Sequence, residues 1–163
     1  MSPTAKERSR KRRNSLELLQ YAKRFQEKYI LHQFWIDLSM SKKIREISDV
    51  PDVDIGEAGC FKYILIEVRD RGTTYGKSKF VVRGDAACAY HADVLDIMES
   101  QIDPTKLTLD CKGGGRIRVD PQIRTISVYG YSMGFGRADH EKTVEILKKS
   151  YPEWTIEITD EEY

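Results

Sequence analysis

The chain has 163 residues, of which 40% are hydrophobic and 33% charged, enough apolar material for one core and too little length for two full domains. Global disorder is excluded by that apolar content, and no apolar run approaches the length of a membrane span. The net charge of +1 conceals an asymmetry, because residues 1–49 hold 12 basic and 6 acidic side chains while residues 50–163 hold 15 and 20. The basic character therefore belongs to an N-terminal extension, 1–49, and not to the main domain, 50–163.

Residues 2–14 carry six basic side chains, one acid and no large apolar residue, so they cannot repay the entropy of ordering and are expected to be a disordered tail. A helix is expected from Asn14, where Asn14 and Glu17 have capping-box spacing and Leu18, Ala22, Phe25 and Tyr29 recur on one face. The apolar stretch 29–38 is broken by His32, Gln33 and Asp37, so docking on protein is expected rather than entry into lipid.

After Pro51 the pattern changes to β-rich runs separated by glycine and polar turns. Residues 61–70 read as a strand, 72–78 as a hairpin loop and 79–84 as the return strand. Asp85 is placed to cap a helix over 86–102, with Ala89, Val94, Ile97, Met98 and Ile102 toward one face. Strands at 106–119 and 125–132, a helix at 140–151 and a strand at 154–158 complete the order. The fold class is α+β: a single compact domain whose mixed β-sheet is flanked by two α-helices, with a basic N-terminal extension.

Cys60, Cys88 and Cys111 form no C-x-x-C pair, and no secretory h-region precedes them; a reducing compartment is expected. His32, His91 and His140 are scattered, so no metal site is expected. Three local features can each serve a phosphorylated ligand. His91 sits near the start of a helix, where backbone N–H groups favour anions and an imidazole can act as base or nucleophile. Gly113-Gly114-Gly115-Arg116 allows close backbone approach beside a guanidinium, although it lacks the lysine and hydroxyl of a P-loop. Ser132-Met133-Gly134 follows an aromatic strand with a hydroxyl and turn amides. Each also has a structural reading, as a core histidine, a sheet bulge and an ordinary turn.

Taken together, these residues resemble the phosphohistidine phosphatase family, which includes the janus and ocnus sex-regulated proteins. The resemblance rests on Val50-Pro51-Asp52-Val53-Asp54-Ile55, Gly59 to Ile66, Val82-Arg83-Gly84, Tyr90-His91-Ala92-Asp93, Gly113 to Ile117, Val128 to Met133 and Lys149-Ser150-Tyr151-Pro152. It covers about residues 50–163. It implies a protein-histidine phosphatase that needs no cofactor or metal, with His91 as catalytic proton acceptor or phosphoryl acceptor. Lys62, Ala92, Arg116, Ser132, Met133 and Gly134 are the implied substrate-binding residues, with Arg83 a further basic residue and the Tyr90, His91 and Ala92 amides at the helix start. Gly134 stands where the family has a small alanine, and Ala86 to Ala89 replace a bulkier, more polar run. The expected partners are phosphohistidine-containing proteins, with neither membrane nor nucleic acid engaged, and the expected form is a cytoplasmic monomer whose basic run leaves nuclear entry open. The alternative is a non-catalytic janus-type regulatory or phosphate-recognition protein.

Overall fold

The computed structural model describes residues 43–72 and 76–160. The expected tail, the helix from Asn14, the 29–38 stretch and part of the 72–78 loop lie outside them. The described elements are β1 (Val53–Ile55), β2 (Gly59–Asp70), β3 (Ser78–Asp85), α1 (His91–Gln101), β4 (Leu107–Asp120), β5 (Thr125–Tyr129), α2 (His140–Ser150) and β6 (Thr155–Ile158). They form a six-stranded sheet in the order β1-β3-β2-β4-β5-β6. The central pairs are antiparallel and the two edge strands, β1 on β3 and β6 on β5, are parallel. The expected α+β domain with a mixed sheet between two helices is thus what the chain forms.

β2 is central because both of its faces are apolar. Phe61, Tyr63 and Leu65 point to one side, where Ile117, Val119, Ile126 and Val128 join them beneath Val144 and Leu147 of α2. Ile64, Ile66 and Val68 point to the other, beneath Val94 and Met98 of α1. The period-two alternation of a strand distributes the six apolar residues of the 61–68 run between two cores. Residues 43–49 belong with this second core: Ile44 and Ile47 pack against it, and Ile44 exchanges backbone hydrogen bonds with Gln101 and Asp103.

Two features of the fold position the site. First, β4 carries one extra residue against β2, since Ile64 pairs with Gly114 but Ile66 with Cys111, and Gly113 absorbs the bulge at φ +122°. Second, α1 starts later than the sequence suggests. Asp85 does not cap a helix; its carboxylate accepts the Ala87 N–H at 2.7 Å and closes a turn. Ala89 consequently lies exposed before the helix, Ile97 is 44% exposed, and His91 becomes the first helical residue. α2 has an aspartate cap, Asp139 accepting the Lys142 N–H at 2.9 Å.

Candidate active site

His91 opens α1 and lies over the glycine segment of β4. It is only 8% exposed, and its Nε2 is 2.9 Å from the carbonyl oxygen of Gly115. A carbonyl can only accept, so Nε2 carries the proton and Nδ1 keeps a lone pair in the neutral ring. Burial, together with the positive charges of Lys62 and Arg116, holds the imidazole pKa below its ordinary value, while the Gly115 bond opposes that shift.

The glycines are required for this approach. A Cβ on Gly114 would lie 2.7 Å from the Tyr63 carbonyl oxygen, 2.8 Å from His91 Cδ2 and 3.2 Å from Ser132 Cβ. One missing side chain therefore lets helix, sheet and turn converge, and the three features read separately in the sequence meet here. On the opposite face, a Cβ on Gly115 would collide with the Tyr129 carbonyl oxygen, Tyr63 Cε1 and His140 Cε1, all within 3.0 Å.

Ser132 sits at the base of a tight loop, exchanging backbone hydrogen bonds with Gly136, whose φ is +78°. The loop is tied to the bulge, Gly114 N–H donating to Gly136 O and Ala138 N–H to Gly114 O. Ser132 is 2% exposed, and its hydroxyl accepts the Phe135 N–H at 3.2 Å, leaving its own proton to donate. Among the described residues nothing accepts the Met133 and Gly134 amides. Met133 is 93% exposed at the loop tip, and open space surrounds the position a Gly134 Cβ would take.

The amides of His91 and Ala92 belong to the first turn of α1 and have no intrahelical acceptor, whereas the Tyr90 amide donates to Asp93 at 2.7 Å. Of the three helix-start amides that the resemblance implies, Tyr90 is thus already occupied. Lys62 and Arg116 face each other across β2 and β4, on the His91 side of the sheet. Arg83 does not join them. It is 4% exposed, its guanidinium donates to the carbonyls of Val82 and Pro51, and it anchors the chain ahead of β1.

His140 proves structural. Its Nε2 donates to Gly130 O at 2.9 Å and its Nδ1 accepts the Tyr63 hydroxyl at 2.6 Å, so both ring nitrogens are used. Burial raises the Tyr63 pKa above the ordinary phenol range and lowers that of His140, which keeps both neutral. No single-sequence signal links Tyr63 to a histidine 77 positions away. Among the described residues no group of three or more His, Cys, Asp or Glu could hold a metal, and no helix is long and apolar enough to cross a membrane.

Fold and site together define a mixed-sheet α+β domain with a neutral histidine beside cations and turn amides. Residues 47–155 match the Janus/Ocnus family (Ocnus), and the chain belongs to that family. It is 46% identical over 117 residues to sex-regulated protein janus-A of Drosophila melanogaster, covering 72% of this chain and 84% of the relative. It is 41% identical over 121 residues to the 14 kDa phosphohistidine phosphatase of Sus scrofa, covering 72% of this chain and 96% of the relative.

Proposed function

We propose that the chain is a protein-histidine phosphatase that works without a metal. The observation that carries this reading is the Nε2–H to Gly115 bond, which leaves Nδ1 of a buried neutral imidazole as a lone-pair donor beside Lys62, Arg116 and Ser132. The phosphoryl group would be held by Lys62, Arg116, the Ser132 hydroxyl and the amides of Ala92, Met133 and Gly134. Phosphoryl transfer depends on positioning and charge neutralisation, and cations, a hydroxyl and fixed amides meet both needs.

In the reaction a water oxygen bonds to phosphorus, the P–N bond breaks, and the leaving imidazole takes up a proton. His91 Nδ1 either accepts the proton of that water or first accepts the phosphoryl group and releases it to water. The name of the Sus scrofa relative supports this reading. The janus-A relatives carry no activity in their names, which favours a second reading: the same site recognises a phosphorylated partner without turning it over.

The two readings part in one experiment, phosphate release from a phosphohistidine peptide in excess chelator by the wild type and by His91→Ala. The phosphatase reading expects release by the wild type and a loss of at least about 100-fold in the variant, the scale for losing a general base or nucleophile. Full activity in His91→Ala would remove the histidine from the mechanism. Tight peptide binding without release by the folded wild type would establish the recognition reading.

A further inference from the structure

Among the described residues six large hydrophobic side chains stand exposed, and three of them, Tyr90, Tyr131 and Met133, are chain neighbours of His91 or Ser132. Exposed apolar residues scattered singly over a surface need no explanation, whereas a group of them at one site marks recognition.

The grouping follows from how the backbone enters the site. Tyr90 is the N-cap of α1 in extended conformation, φ −125° and ψ 156°, and it is 70% exposed while His91 beside it is buried. The same alternation in the loop buries Ser132 and leaves Met133 at the tip. His91 Cδ2 and Ser132 Cβ both come within 3.2 Å of one point, the place a Gly114 Cβ would take. The Tyr90 ring and the Met133 thioether are therefore carried by residues that adjoin one point of convergence, yet neither belongs to either core of the described residues. Both residue types suit recognition, since a tyrosine ring offers contact area at low entropic cost and a thioether adapts its shape. A phosphohistidine that reaches the loop amides brings its own chain with it, and the side chains flanking it must pass over this rim. An apolar flanking residue buries the ring and the thioether, whereas a polar one loses water there without a new partner.

We propose that Tyr90 and Met133 form an apolar clamp on the polypeptide around the phosphohistidine, which selects protein substrates with a large apolar residue next to it. The inference rests on the phosphatase reading and adds the substrate class to it. The backbone amides of the loop hold the phosphoryl group, and the Tyr90 and Met133 side chains read the flanking sequence.

The test uses the full chain as wild type, as Tyr90→Ser, which keeps a residue suited to a helix N-cap, and as Met133→Gln, which keeps the side-chain length. The substrates are free phosphohistidine, a peptide with one leucine on each side of the phosphohistidine, and the same peptide with asparagines, close to leucine in shape. The wild type is expected to prefer the leucine peptide by about tenfold in kcat/KM, the scale of burying one or two methylene groups, and each variant to lose most of that preference. Because the readout is a ratio within one protein, a general loss of activity in a variant does not mimic the result. Equal rates on the two peptides by the wild type, or a preference unchanged in either variant, would overturn the clamp. So would sedimentation showing a wild-type dimer that both substitutions dissociate, since the rim would then be a contact between copies of this chain. Failure of the wild type to hydrolyse even free phosphohistidine would instead overturn the phosphatase reading. The clamp is then decided by fluorescence anisotropy with the same peptides: tighter binding of the leucine peptide by the wild type, lost in both variants, supports it, and equal binding overturns it.

Discussion

His91 derives its chemistry from a backbone carbonyl. Gly115 O fixes the proton on Nε2, and burial with the nearby Lys62 and Arg116 charges disfavours a second proton. 15N NMR of the imidazole should therefore show, at pH 7, a protonated Nε2 and an unprotonated Nδ1, with a titration midpoint below the ordinary 6.5. Because the two cations push the pKa down, Lys62→Ala and Arg116→Ala should each move that midpoint upward. A proton on Nδ1 in the neutral ring, or a midpoint above 6.5, would deny His91 the lone pair on which the proposed reaction depends.

At the scale of elements, the site exists where a bulged strand, a helix start and a loop come within contact of one another, and glycines set how close they come. Gly114→Ala should displace His91 and Ser132, costing on the order of 100-fold in kcat/KM, the scale for a misplacement of about 1 Å, and should also lower Tm, because the new Cβ would lie 2.7 Å from the Tyr63 carbonyl oxygen. Gly113→Ala should lower Tm further, because it adds a φ of +122° to a contact of 2.7 Å between the new Cβ and the Arg137 backbone. Gly134→Ala should change neither, since nothing lies within 4 Å. Steady-state kinetics and thermal melts on the three variants check this ordering, and a fully active Gly114→Ala would refute the contact argument. Much of this was legible in the sequence. The β2 and β3 strands show in hydrophobic period, as do Val94, Met98 and Ile102 of the first helix's face, and His91, the glycine segment and Ser132 each stand out locally. Their convergence was not legible, because it depends on pairing between residues far apart in the chain. β1, with three residues, is too short to show a period. The start of α1 was misplaced because Asp85 caps a turn as readily as a helix, and β5 ends before the expected residue 132 because Gly130 turns the chain at φ +68°.

For the molecule as a whole, two buried neutral histidines, one on each face of the sheet, couple folding to pH. His91 and His140 are 8% and 5% exposed, and burial is the leading cause of the lowered pKa of both. In the unfolded chain each ring titrates near 6.5. As the pH falls below that value the unfolded state takes up protons that the folded state refuses, so stability is full above about 6.5 and is lost through the lowered folded pKa values. Each ring contributes a slope of at most about 1.4 kcal/mol per pH unit. The carboxylates act in a separate, more acidic window: Glu67, held by Arg69, is lowered from 4.5 to about 2, and Asp103, held by Thr105, lies below its ordinary 3.8, so their contributions are lost only as the pH falls below those ordinary values. Thermal melts between pH 7.5 and 5 therefore isolate the histidines. Tm should decline with falling pH in the wild type, and the decline should be shallower in His91→Gln and in His140→Gln, even though the latter starts from a lower Tm because Tyr63 loses its acceptor. A wild-type Tm that stays level across this range would mean that the two rings accept protons in the folded state as readily as in the unfolded chain, and His91 would then not be held neutral by the fold.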